Sequence, residues 1–172
     1  MNLIITCARS LESETKNEIK KILDELGDQK PKLLNVGMRG ILMVDTIIEP
    51  SKIIDWIRTK IVEEPWLIRY CLRIIPIQSL TETNIDKIKE SVIKLKDSIK
   101  KNDSYRITIE KRNASISTNE IITEIAKIFP NKVSLNSPDL IVLIEILGDK
   151  TGISILKNNE LFSLDKSKRM SD

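Results

Sequence analysis

The segment that most constrains the fold is Leu140 to Leu147, LIVLIEIL, in which Glu145 is the one charged residue. A run this apolar and this short fits a strand covered on both faces, because a strand with one wet face alternates apolar and polar side chains. Aromatic residues make up only 3% of the sequence, so Ile, Leu and Val must supply the covering layers. The flanking segments carry them. Ile85, Ile88, Val92, Leu95 and Ile99 recur at spacings of three and four behind Thr83-x-x-Asp86, a capping-box pattern, which predicts a helix ending near Lys100. Ser117-x-x-Glu120 opens a second helix, with Ile121, Ile122, Ile125 and Ile128 inward until Pro130 stops it. Tyr105 to Ile109 alternates as a strand between them, and Gly148 to Gly152 turns the chain into a last strand, Ile153 to Leu156.

The first eighty residues have a different order. Leu3 to Cys7 is a short apolar strand, and Ser10 is placed to cap a helix carrying Leu11, Ile19, Ile22, Leu23 and Leu26, ended by Gly27. Leu33 to Val36 and Ile41 to Val44 read as strands joined by the Gly37-Met38-Arg39-Gly40 turn. Ser51 opens a helix with Ile53, Ile54, Ile57 and Ile61 inward, and Arg69 to Ile77 reads as a strand. The order β-α-β-β-α-β is the split pattern of a ferredoxin-like domain. Its usual strand order sets Cys7 beside Cys71, and both thiols are expected to be buried and reduced. The expected fold class is α+β: a ferredoxin-like domain over 1–80, an α/β domain over 81–164 and a flexible tail over 165–172. Trp56 and Trp66 are expected in the core or at the domain junction.

Composition removes whole classes of chemistry. There is no His, hence no Ser-His-Asp triad, no Cys-His pair and no His-ligated zinc. The two cysteines are too few for a zinc cluster, and no metal or cofactor is expected. The five glycines form neither G-x-G-x-x-G nor G-x-x-x-x-G-K-[ST], and Glu63-Glu64 reads as a surface pair, so the chain is expected to be non-catalytic. No apolar run is long enough for a membrane span, and the start MNLIITCARS lacks a signal-like pattern, so a cytoplasmic protein is expected. Net charge is only +3, but residues 84–112 hold nine Lys or Arg against five Asp or Glu. A few phosphate contacts require a local arrangement of cations, not a large total.

The segment best suited to such contacts is Glu110-Lys111-Arg112-Asn113-Ala114-Ser115, between a strand and a capped helix. Lys111 and Arg112 offer charge, Asn113 an amide and Ser115 a hydroxyl near the positive end of a helix dipole. The plainer reading is a solvated loop with Asn113 in an Asx-turn. Arg9 and Arg39, in strand-end turns, rank below the Lys111-Arg112 pair as RNA contacts.

KRNAS at 111–115, STNEIITEIAKIF and KVSLNSPDLIVLIEILGDKTGISIL at 132–156 resemble a THUMP domain. LIITCARSLESETKNEIKKILDELGD and RYCLRIIPI resemble the ferredoxin-like domain that accompanies it. The likeness is greatest to the stand-alone THUMP proteins that serve as tRNA-binding adaptors for RNA cytidine acetyltransferase. It implies that the chain binds tRNA, and that a partner enzyme acting in trans acetylates a cytidine in the D-arm. The family's basic loop falls on Lys111, Arg112, Asn113 and Ser115, and its Leu-x-x-Pro segment on Leu135 and Pro138, with Asn136 and Asp139 beside it. Ser134 stands where many THUMP sequences have Asp, so no role passes to that position. A methyltransferase or sulfur-insertion domain, which other THUMP proteins carry, is not expected here, since the sequence stops before either could begin and lacks their glycine-rich motifs. The alternative left by the residues alone is a ferredoxin-like small-ligand sensor or assembly module without an RNA role.

Overall fold

The computed structural model describes residues 1–169. In chain order, β1 (Leu3–Cys7), α1 (Glu12–Glu25), β2 (Lys32–Asn35), β3 (Ile41–Asp45), α2 (Pro50–Glu63) and β4 (Cys71–Pro76) come first. Then follow β5 (Ser79–Glu82), α3 (Ile85–Leu95), β6 (Tyr105–Arg112), α4 (Thr118–Ala126), β7 (Leu140–Leu147), β8 (Lys150–Leu156), β9 (Phe162–Ser163) and α5 (Leu164–Arg169). The fold class is α+β. Two compact units result, one of Met1–Pro76 with the segment from Asn159 onward, the other of Ile77–Asn158.

The first unit has the strand order β2-β3-β1-β4-β9. Its first four strands with α1 and α2 are the ferredoxin-like arrangement, and Cys7 is the cross-strand partner of Cys71. Both cysteines are free and buried. Burial pushes both thiols above their ordinary value, so they hold their protons and should resist a water-soluble disulfide reagent until the protein unfolds. Reaction in the native state as fast as in urea would contradict this packing. The core lies where Leu3, Ile5, Ile19, Ile22, Leu23, Ile53, Ile57 and Ile74 meet, and Phe162 and Leu164 join it from the far end of the sequence. Strand β9 pairs with β4 through Arg73–Ser163 and Ile74–Phe162. The second unit therefore ends sooner than residue 164. The tail expected over 165–172 is helical through Arg169, because Leu164 anchors its first turn in the core; residues 170–172 lie outside the described residues.

Several element starts differ from the sequence expectation for local reasons. Ser10 has φ 69° and makes no cap, leaving Leu11 as the residue before α1. Pro50 fits the first turn of α2, so the helix begins before Ser51. Strand β4 starts at Cys71, because the Glu18 carboxylate accepts the N–H groups of Arg69 (2.6 Å), Tyr70 (3.2 Å) and Cys71 (2.8 Å). Trp56 packs partly buried against the core, but Trp66 is 68% exposed.

The second unit has the order β5-β8-β7-β6, with β6 and β7 parallel and the other pairs antiparallel. Strand β7 is buried along its whole length, as its composition requires. One face packs Val142, Ile144, Ile146, Ile153 and Ile155 against Ile88 and Val92 of α3 and Ile121 and Ile125 of α4. The two helices are also clamped by charge: Glu124 accepts from Lys89 at 2.8 Å and Lys127 at 2.5 Å. These bonds, from Lys127 first and then Lys89, hold its carboxyl down to about 2. A depressed carboxylate contributes its stability above the ordinary value of 4.5 and loses it as pH falls through about 2. Carbon-detected NMR of Glu124 should give a midpoint near about 2; an ordinary midpoint would show that the clamp is not kept in solution.

Candidate nucleic-acid interface

Helix α3 leads into β6 and α4 leaves it, so the amino ends of both helices lie at the carboxyl end of the parallel pair β6–β7, the end of such a sheet where ligands bind. A cleft of about 710 Å³ opens there, lined by Asn84, Asp86, Asn113, Ser115, Glu120 and Asp149 among others. Asn84, not Thr83, caps α3: its side-chain oxygen accepts the N–H groups of Asp86 (2.9 Å) and Lys87 (3.3 Å). The Thr83 hydroxyl is instead paired with that of Thr151 at 2.8 Å. Ser117 caps α4 by accepting the Glu120 N–H at 3.3 Å, as its sequence pattern predicts. Asn113 has φ 52°, the left-handed conformation that lets the chain leave β6 sharply.

The basic pair does not sit in a loop. Lys111 and Arg112 are the last two residues of β6, and alternation along a strand sends their side chains to opposite faces. Lys111 turns toward the cleft side, where its ammonium donates to the Ile116 carbonyl at 2.9 Å and braces residues 113–116. Arg112 points the other way and donates to the fully buried Glu145 carboxylate at 3.3 Å. Of the four residues expected to act together, Asn113 and Ser115 line the cleft, Lys111 supports it and Arg112 lies behind the sheet. Asp86, Glu120 and Asp149 line the cleft and no Lys or Arg does, so two helix dipoles there face three carboxylates.

Asn136 lies at the other end of β6, roughly 20 Å away along the strand. Here the structure gathers cations that sequence inspection did not group. The Asn131 amide donates to the carbonyls of Lys100 (2.8 Å) and Asp103 (3.0 Å), while the Lys132 carbonyl accepts the Tyr105 N–H at 3.0 Å. Arg106 donates to the Leu135 carbonyl at 2.9 Å. Lys100, Lys101, Lys132, Arg106 and Asn136 thus border one end of the sheet. The nearby acids are occupied: Asp103 accepts the Lys100 N–H at 2.8 Å, and Asp139 accepts the N–H (2.7 Å) and hydroxyl (2.8 Å) of Ser104. Those two bonds also lower the Asp139 carboxyl below its ordinary value. Val133 and Leu135 are exposed beside these cations, offering apolar contact for unstacked bases. The signal in the sequence was indirect: α3 and α4 each end in a Lys-bearing turn, and the parallel topology delivers both turns to the same end.

In the first unit, Arg9 and Arg39 are both exposed and lie near one another. The Cys7 N–H donates to the Gly40 carbonyl at 2.9 Å, tying the end of β1 to the turn before β3. Glu12 accepts the Gly40 N–H at 2.5 Å. That bond chiefly lowers the Glu12 carboxyl, with the Arg39 charge contributing.

Among the described residues, no helix is long and apolar enough to cross a membrane, and no cluster of three metal-ligating side chains occurs. The uncharacterised protein MJ0421 of Methanocaldococcus jannaschii is 28% identical over 174 residues, covering 98% of this chain and 44% of its own. The crystal structure of PH1313 from Pyrococcus horikoshii superposes with a TM-score of 0.67 at 18% identity, over 91% of this chain and 55% of that one. A 4-thiouridine synthetase crystallised with RNA and bound ATP gives 0.58 at 13% identity, over 95% and 42%. The chain thus spans about half the length of the proteins it matches. Residues 82–156 match the model of the THUMP domain, and they hold α3, β6, α4, β7 and β8 in full but only the last residue of β5. The chain carries a THUMP domain.

Proposed function

We propose that the chain binds tRNA and presents it to a separate RNA cytidine acetyltransferase for acetylcytidine formation in the D-arm, without performing chemistry itself. The observation that carries the RNA reading is the THUMP domain, whose sheet has a cationic end with its acids already bound to backbone. A fold shared with a synthetase crystallised with RNA supports it across both units. The acetyltransferase as partner rests on the sequence resemblance, and the absence of His and of a glycine-rich phosphate cradle from the sequence supports a non-catalytic role. Phosphates bind Lys100, Lys101, Lys132 and Arg106, and exposed bases pack on Val133 and Leu135.

The test has two stages. A tRNA transcript should bind the purified chain at low ionic strength and dissociate as salt rises. Acetyl transfer to that tRNA by a purified acetyltransferase should then depend on adding the chain. Failure to bind any tRNA at low salt would overturn the RNA role; transfer that ignores the chain would remove the adaptor role and leave the RNA role intact.

A further inference from the structure

The first unit has a second concave surface that the RNA reading does not use. A groove of about 450 Å³ runs between the outer face of α1 and the segment 66–70. Glu14, Glu18 and Glu25 line one wall, spaced along roughly 16 Å of helix, and Trp66, Leu67 and Tyr70 line the other. The Glu18 carboxylate is bonded to the backbone of residues 69–71, so the aromatic wall is fixed to the helix rather than draped over it. Lys21 and Arg69 are the opposing cations, and the Arg69 guanidinium lies 5.8 Å from the centre of the Tyr70 ring.

We propose that this groove docks a protein partner through a segment that pairs Arg or Lys side chains with an apolar anchor. With Glu18 held by backbone, the Glu14 and Glu25 carboxylates beside the exposed Trp66 indole form the receptor for a guanidinium or ammonium: the acids supply charge-assisted hydrogen bonds and the ring a cation–π surface. The Arg69–Tyr70 contact is an internal instance of the same attraction. The three glutamates outnumber Lys21 and Arg69 in the lining, which disfavours a phosphate backbone as the occupant. A tryptophan 68% exposed at the mouth of a fixed groove is the residue type that most often anchors a protein interface. That this partner is the modifying enzyme rests on the function proposed above; the chemistry of the groove does not.

The experiment uses the full chain and a labelled synthetic peptide with arginines flanking a leucine, alongside a counterpart with glutamates in their place, read by fluorescence anisotropy. The arginine peptide should bind and the glutamate peptide should not. Glu14→Lys combined with Glu25→Lys, and separately Trp66→Ala, should each weaken binding about tenfold or more. All three side chains are exposed, so the variants should melt as the parent does, and the charge-neutral Trp66→Ala should bind tRNA as tightly. No binding of the arginine peptide, equal binding of both peptides, or unchanged affinity in the variants would overturn the proposal. So would a loss of tRNA affinity in Trp66→Ala, which would assign the groove to RNA. A parent chain that ignores tRNA yet binds the arginine peptide would sink the RNA reading alone.

Discussion

Replacing Lys100, Lys101 and Lys132 together by alanine is expected to lower tRNA affinity and flatten its salt dependence, the log–log slope falling by roughly 2–3. Each lost phosphate contact removes about 0.7–0.9 from that slope. The three side chains stand on turns held by Asn131 and Asp103, contacts that involve backbone groups and survive the substitutions. Lys111→Ala is the comparison. Its ammonium braces the 113–116 loop, so its slope change should stay below about one contact's worth. A triple variant with an unchanged slope, set against a Lys111→Ala variant with a reduced one, would move the interface to the cleft end of the sheet. Arg112→Ala is a poor probe of binding, because it withdraws a charge-assisted hydrogen bond from the buried Glu145 and should cost about 1–3 kcal/mol of stability. Affinity lost in that variant would mix unfolding with missing contacts.

Gly40→Ala should be the most damaging small substitution in the first unit, at about 3 kcal/mol. A Cβ at this position would lie 2.6 Å from the Cys7 carbonyl oxygen, and the backbone there has φ +76°. Left-handed geometry alone costs an L-residue about 1–2 kcal/mol, and the backbone clash adds to it, since no flexible side chain can give way. Gly27 supplies the control, with φ +102° and nothing within 4 Å of an added Cβ. Urea unfolding should therefore show Gly40→Ala losing clearly more stability than Gly27→Ala. Equal losses would mean that conformation alone matters and that β1 and the turn can move apart. Against a usual total of about 5–15 kcal/mol, a 3 kcal/mol loss is large enough to lower the yield of folded protein.

What could be read from the sequence followed from how strongly each segment was constrained. Strand β7 needed no context, because eight residues with one charge cannot face water on either side. The Cys7–Cys71 pairing followed from topology once the β-α-β-β-α-β order was in place. Strand β5, with Leu80 40% exposed between Ser79 and Thr81, has too little apolar content to stand out; its hydrogen bonds to β8 define it. Strand β9 is two residues long, and only its place beside β4 makes it a strand. Strand β6 runs on through Lys111 and Arg112 because its position at the sheet edge tolerates charged side chains that a central strand would not. This one extension separates the two residues that the sequence presented as a pair. The cationic end was hidden for a different reason: residues 100–101 and 132 are about thirty positions apart, and only the parallel crossover brings them together. Trp66 shows the limit of burial averages, which describe a residue type and not a position.

The short pairing of β9 with β4 bears on how this protein can be cut for study. Ending the chain at residue 80 would remove Phe162 and Leu164 from the first core and leave one side of β4 without a neighbour. Such a fragment would present a ready template for another copy of itself, and clumping would be misread as an inability to fold. Excising 77–158 and bridging the gap with a few glycines keeps the closing segment in place, and is the sounder way to obtain the ferredoxin-like half alone.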